Sequence, residues 1–192
     1  MEYSKEHIRK TALKLRQSLT REQVSLKSEA ILNRLAGLEE YKKSSLVMLY
    51  ADFRNEVATG DMIRMCIEDG KRTILPYIVR TDEGGRAMYA SQIASLEELC
   101  PGAYGIYEPK ESARIAVSPL SLDMVIVPGV AFDERRNRLG YGAGFYDCFL
   151  AQTRGGCCKA ALAFEVQIFP SIPKGVHDVC MDMVVTEDRV IT

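Results

Sequence analysis

The chain has 192 residues, a formal net charge of −1 at pH 7, and 47% hydrophobic and 27% charged residues. That length supports one substantial core and is short for two, and the composition is globular rather than disordered. Near-neutral charge excludes a general nucleic-acid or membrane-surface binder, so any anion site must be local. The six cysteines contain no CxxC pair and only His7 and His177 accompany them, which excludes the usual structural zinc patterns. Reduced thiols in a cytoplasmic protein are therefore expected. Met1 to Lys5 lacks the apolar core of a signal peptide, and no apolar run is long enough to span a bilayer. No repeat or linker divides residues 1–192, so one domain is the expectation; a monomer is the expected state.

Ser4 is placed to cap a first helix running to about Ser18, with Ile8, Ala12, Leu15 and Leu19 at helical spacing. Lys5, Arg9 and Arg16 lie on a different stripe of that helix. Like charges one turn apart cost on the order of a few tenths of a kcal/mol, so the stripe is either a solvated face or a face turned to an anion. Thr20 and Gln23 form a capping box for a second helix that buries Val24, Ile31, Leu35 and Leu38. Ser45–Tyr50 reads as a buried strand and Ala51–Glu56 as a loop. Thr59 is expected to cap a third helix through Met62, Ile63, Cys66 and Ile67, followed by a strand over Arg72–Tyr77. A strand–helix–strand unit of this kind makes its two strands parallel.

Val79–Pro119 is less regular. Gly84-Gly85 predicts a hairpin turn before a short strand at Arg86–Ala90, and Pro101, Gly102, Gly105 and Pro109 punctuate a loop that carries Tyr104 and Tyr107. Those tyrosines either stack on a ligand or cover the core. Leu122–Val127 is the most buried-looking strand and stops at Pro128-Gly129; Phe132–Arg138 reads as a tight hairpin-like excursion. Phe145–Gln152 reads as a short helix with Phe145, Phe149 and Cys148 facing inward. Lys159–Phe164, Met183–Thr186 and Arg189–Ile191 complete a mixed, mostly parallel sheet. The pattern is that of a three-layer α/β/α domain. Ligands in such sheets lie outside the carboxyl ends of strands, which brings the loops at 51–56, 128–147 and 164–178 to one cleft.

Within 128–147, Arg138-Leu139-Gly140-Tyr141-Gly142-Ala143-Gly144-Phe145-Tyr146-Asp147 concentrates the chemistry. Three alternate glycines before a helix expose backbone N–H groups, and Arg138 adds charge, a combination suited to phosphate. It is not a phosphate loop of the Gly-Lys-Ser/Thr kind. Nor is it the dinucleotide fingerprint, since the spacing is GxGxG and no strand is expected to run directly into it. Asp147 either supplies a carboxylate to a nucleotide-bound magnesium or complements a helix N-terminus, worth roughly 0.3–1 kcal/mol. Asp178, after His177, is either a second metal carboxylate or a turn acid. Glu56 either orients a substrate amide or amine or precedes the third helix as a cap.

Pro128-Gly129-Val130-Ala131-Phe132-Asp133 followed by the glycine segment closely resembles the signature of the 5-formyltetrahydrofolate cyclo-ligase family, also called methenyltetrahydrofolate synthetases. The resemblance extends over nearly the whole chain, through Lys5-x-x-x-Arg9, Glu56-x-x-Thr59, and His177-Asp178 ahead of Val184-Val185-Thr186-Glu187. It implies an ATP- and magnesium-dependent ring closure of 5-formyltetrahydrofolate, in which ATP phosphorylates the formyl oxygen. By resemblance, Lys5, Arg9, Arg138 and the loop Leu139–Tyr146, including Gly140, Tyr141, Gly142, Ala143, Gly144 and Phe145, face the ATP phosphates. Ala51, Phe53 and Glu56, with Tyr141, Gly142 and Phe145, hold the folate. Asp147 and Asp178 match the magnesium carboxylates, Tyr146 lies between the two substrates, and Arg138 and Tyr146 are the expected catalytic pair. Partners other than these small molecules are not implied.

Three positions depart from the family pattern. Arg136 stands where glycine is frequent, Ala143 where a basic residue or glycine is frequent, and Phe145 where tyrosine is common. These changes affect turn shape, a phosphate contact and one hydroxyl, and bear on affinity or rate. Two alternatives are a catalytically silent relative that only binds nucleotide or pterin, and a sugar-phosphate isomerase or acyl-transfer enzyme on a similar sheet.

Overall fold

A computed structural model describes residues 4–82 and 84–192. Met1 to Tyr3, part of the segment read as lacking a leader core, lie outside the described residues. In chain order the elements are α1 (Lys5–Gln17), α2 (Arg21–Gly37), α3 (Glu39–Lys43), β1 (Leu46–Met48), α4 (Gly60–Glu68), β2 (Arg72–Arg80), β3 (Arg86–Ile93), β4 (Leu99–Pro101) and β5 (Tyr107–Pro109). They continue as β6 (Ile115–Val117), β7 (Met124–Val127), β8 (Ala131–Asp133), β9 (Arg138–Leu139), α5 (Phe145–Leu150), β10 (Cys158–Leu162), β11 (Ile168–Phe169), β12 (Met183–Val185) and β13 (Val190–Ile191).

Eight strands form the central sheet in the order β13-β12-β10-β7-β1-β2-β3-β6. The inner pairings β12/β10, β10/β7, β7/β1 and β1/β2 are parallel. The outer ones, β13 on β12, β3 on β2 and β6 on β3, are antiparallel. The expected mostly parallel mixed sheet is therefore present, and β1–α4–β2 is the parallel unit that the chain pattern predicts. Because side chains alternate along a strand, the inner strands are apolar on both faces. Val47, Met124, Ile126, Ala160, Leu162 and Met183 pack with Ile31, Leu35, Met62, Ile63 and Cys66 from α2 and α4. On the opposite face, Met48, Val125, Val127, Ala161 and Val184 pack with Phe149 and Leu150 of α5 and with Phe132. Each large apolar side chain so buried contributes roughly 1.5–3 kcal/mol.

Two capping expectations hold. Ser4 Oγ accepts the His7 N–H at 3.2 Å, and Thr20 and Gln23 cap each other reciprocally. Thr59 does not cap α4. Its hydroxyl donates to the Tyr50 carbonyl at 2.6 Å, which ties the helix start to the chain leaving β1. The β2–β3 hairpin is longer than its turn signal suggests, pairing Thr73–Arg80 with Arg86–Ile93.

Helix α1 packs on a second, three-stranded sheet, β11-β8-β9. Ile8 and Ala12 are buried against Val130, Ala131 and Leu139. Leu15, expected to continue this stripe, is 40% exposed, and Arg16 is 1% exposed in its place. The row that faces the protein is Ile8–Ala12–Arg16, with four-residue spacing.

Candidate active site

The site begins where β7 ends. The carbonyl of Gly129 accepts from Gln167 Nε2 at 3.1 Å and from Arg16 Nη1 at 3.3 Å, and the Pro128 carbonyl accepts from Arg138 Nη1 at 3.4 Å. The β8–β9 hairpin that follows is the predicted excursion. Fully buried Asp133 organises it, accepting the N–H groups of Arg135, Asn137 and Ile172. Arg136 sits in its turn at φ 63°, in the left-handed region that favours glycine. Strand β9 delivers Arg138 and runs straight into the glycine loop, contrary to the expectation that no strand would. Gly142 and Gly144 take φ of 112° and 72°, which a side chain would strain. The loop then turns into α5, whose third residue is Asp147. Cys148, expected to face inward, is exposed because Phe149 and Leu150 occupy the buried side of this short helix.

Helix α1 approaches from the other side. Arg9 Nε donates to the Gly140 carbonyl at 3.0 Å, and the Lys5 ammonium pairs with Asp178. Asp178 also accepts the Gly175 N–H at 2.6 Å. Arg138, nearly buried, pairs with Asp147 at 2.8 Å, and Asp147 also accepts the Val179 N–H at 3.1 Å. Burial pushes the Asp178 carboxyl up, yet Lys5 and the Gly175 N–H hold it below the usual range. His177 points to solvent.

The loop after β1 supplies the third side. Glu56 is 7% exposed; one oxygen accepts the Tyr141 hydroxyl at 2.8 Å and the other the Phe53 N–H at 3.0 Å. It therefore caps its own loop rather than α4. Burial raises its pKa above the ordinary value, against the opposing pull of Arg16, the Tyr141 hydroxyl and the Phe53 N–H. Burial and the Glu56 charge push the Tyr141 hydroxyl up to about 12, and the same two causes raise Tyr146 well above its usual range. The Tyr146 ring lies 5.8 Å from the Arg138 guanidinium carbon.

These elements enclose a cavity of about 740 Å³, within the span of small-molecule sites. Every site residue expected from sequence lines it: Lys5, Arg9, Ala51, Phe53, Glu56, the run Arg138–Asp147, and Asp178. Of the 164–178 loop only Asp178 takes part. The remaining wall was not anticipated as a unit. It comes from Pro76 and Ile78 of β2, Met88 of β3, and Tyr104, Ile106, Tyr107 and Glu108 around β5. Tyr104 is 59% exposed, so it does not cover the core; it is held at φ 61° with the Arg86 guanidinium 5.0 Å from its ring. Backbone strain of this kind concentrates at functional sites.

Comparison with known proteins identifies the family. A model of the 5-formyltetrahydrofolate cyclo-ligase family matches residues 1–187. A probable 5-formyltetrahydrofolate cyclo-ligase of Schizosaccharomyces pombe is 31% identical, over 88% of this chain and 87% of the relative. The Escherichia coli K12 5-formyltetrahydrofolate cyclo-ligase is 30% identical, over 91% of this chain and 96% of its own. The solved 5,10-methenyltetrahydrofolate synthetase of Aquifex aeolicus superposes with a TM-score of 0.83 at 35% identity, covering 97% of this chain and 91% of that one. The chain belongs to the 5-formyltetrahydrofolate cyclo-ligase family.

Proposed function

We propose that the protein converts 5-formyltetrahydrofolate and ATP to 5,10-methenyltetrahydrofolate, ADP and phosphate, acting as a single cytoplasmic domain and as a monomer. The observation that carries the reaction is one cavity lined by two chemically different sets of residues. Lys5, Arg9, Arg138 and the glycine-loop N–H groups form one set, which gathers phosphate donors. The other, an apolar, partly aromatic wall, suits a flat heterocycle. The match to the family over residues 1–187 supports the same reading.

An amide oxygen is a poor leaving group until it is esterified. In the proposed reaction the formyl oxygen attacks the terminal phosphorus of ATP and ADP departs. The neighbouring folate nitrogen then adds to the activated carbon, and phosphate leaves with the former formyl oxygen as the ring closes. Catalysis of this kind is positioning plus stabilisation of charge. Lys5 and Arg9 would hold the outer phosphates. Arg138 would neutralise charge developing on the transferred group, and Tyr146 would separate and align the two substrates. The backbone from Leu139 to Phe145, through Gly140, Tyr141, Gly142, Ala143 and Gly144, would cradle the phosphates. Ala51, Phe53 and Glu56, with Tyr141, Gly142 and Phe145 alongside, would hold the folate ring, and Glu56 would accept from its polar edge.

Asp147 and Asp178 offer the hard carboxylate oxygens that magnesium prefers. Among the described residues no group of three or more His, Cys, Asp or Glu is arranged to hold an ion, so phosphate oxygens and water would supply the remaining donors. Magnesium, when bound with ATP, supplies neutralisation of phosphate charge. Each of these carboxylates is now paired with a site cation, Asp147 with Arg138 and Asp178 with Lys5. Nucleotide arrival would re-partition the pairs, turning the cations toward phosphate. For the compartment, the six cysteines are all unpaired, and no described helix is long and apolar enough to cross a membrane.

The test is to follow methenyltetrahydrofolate absorbance with purified protein, 5-formyltetrahydrofolate and magnesium, with and without ATP. Product formed only with ATP is expected. Product without ATP would point to a different reaction class, and no product with ATP still bound would point to a binding-only relative.

A further inference from the structure

Three polar side chains link α1, the glycine loop and the loop after β1. Arg16 Nη2 donates to the Tyr141 hydroxyl, that hydroxyl donates to Glu56 Oε1 at 2.8 Å, and Arg16 Nη1 lies 3.9 Å from the same oxygen. The second Glu56 oxygen is taken by the Phe53 N–H, so the carboxylate is fixed at both ends. Arg16 is 1% exposed, and its buried Nε has no hydrogen-bond partner among the described residues. Burying a guanidinium and leaving one donor unsatisfied is costly. A leucine at the end of the Ile8–Ala12 row would serve packing alone; Arg16 instead holds the Gly129 carbonyl at 3.3 Å and reaches the Tyr141–Glu56 pair.

Tyr141 is equally unnecessary to packing, being 45% exposed. Its backbone belongs to the loop assigned to nucleotide, while its side chain lies with Glu56 among the groups assigned to folate. Its hydroxyl hydrogen-bonds the glycine loop to the loop after β1. Elsewhere the glycine loop is held to α1 through the Arg9 contact with the Gly140 carbonyl, and Gly142 and Gly144 hold its turn at positive φ.

We propose that Tyr141 and Arg16 are positioning residues that couple the two substrate subsites: closure of the glycine loop on nucleotide is transmitted through the Tyr141 hydroxyl to the Glu56 carboxylate, so each substrate tightens the other. The inference rests on the nucleotide and folate assignments above. Coupling between bound ligands is reciprocal, so it is readable from either side.

The experiment is calorimetric titration of 5-formyltetrahydrofolate into the intact protein, with and without a saturating non-hydrolysable ATP analogue and magnesium. For the unaltered protein the nucleotide is expected to tighten folate binding about tenfold. Tyr141→Phe should bring that ratio to within about twofold of unity while the analogue still binds. Arg16→Lys, which keeps the charge but not the two-pronged grip, should give an intermediate ratio. An unchanged ratio in Tyr141→Phe would overturn the coupling, as would a ratio of one in the unaltered protein. Failure of the unaltered protein to bind either ligand would overturn the substrate assignment and this inference together.

Discussion

At the glycine-loop end of the cavity Lys5, Arg9, Arg138, Asp147 and Asp178 each already have a partner within the protein. The wall made by Pro76, Ile78, Met88, Tyr104 and Tyr107 offers mainly surface. The first end is prewired: its charges are oriented before a ligand arrives, and its donors need only change partner. The second end works by shape, and its aromatic rings are half or more exposed. Prewiring suits chemistry, because preorganised charge costs no reorganisation at the moment of reaction. Shape suits holding a ring, for which apolar contact and stacking suffice.

The sharpest way to break this contrast is at the Arg138–Asp147 ion pair. Asp147→Asn removes a carboxylate and leaves Arg138, whose side chain is 4% exposed, without its counter-charge. Turnover should fall on the order of 100-fold, with a stability loss of about 3 kcal/mol in urea unfolding. Turnover unchanged from the parent would remove Asp147 from the metal and charge-holding role. Next comes Arg9→Ala, which deletes a cation and its bond to the Gly140 carbonyl. The apparent KM for ATP should rise about tenfold, well above any change in the folate KM. Movement of the folate term alone would show that the basic row of α1 serves the wrong substrate.

Tyr104→Ala probes the shape-based end. Loss of one stacking ring, about 1 kcal/mol, should raise the folate KM about fivefold and leave the ATP KM and the melting temperature in place. A drop in stability would mean that this tyrosine covers the core after all. The smallest expected effect is electrostatic. Burial holds the folded pKa of Glu56 above its ordinary 4.5, so an ionised Glu56 weighs against the fold once the pH exceeds that folded value. Relative to Glu56→Gln, the parent should therefore lose stability as pH rises through the folded pKa and regain it on acidification. Parallel melting temperatures of the two proteins across pH 4 to 8 would contradict the raised pKa.

The two ends also differed in how legible they were. The charged end rests on glycines that must adopt positive φ and on charges at fixed offsets, so its sequence is constrained and the segment Arg138–Asp147 announced itself. The apolar wall needs only bulk, and Pro76, Met88 and Tyr104 arrive from three separate segments with no shared spacing. The β2–β3 hairpin that carries it was legible as strands over Arg72–Tyr77 and Arg86–Ala90 around a glycine turn, but both strands run three residues further. Arg16 could have been placed from its spacing, since residues 8, 12 and 16 form one row, but a charge in that row reads as the edge of the stripe. Leu15 then took its place wrongly. Thr59 shows the converse: a capping residue stood at the right position, and tertiary contact with the Tyr50 carbonyl claimed its hydroxyl.

The most direct test of the central claim, that the charged end activates the formyl oxygen by phosphoryl transfer, is isotopic. 5-Formyltetrahydrofolate carrying a heavy oxygen isotope in its formyl group would be turned over with unlabelled ATP in unlabelled water, and the released phosphate analysed by mass. One heavy oxygen in each phosphate formed is the predicted result. Unlabelled phosphate, with the heavy oxygen released to water, would contradict it.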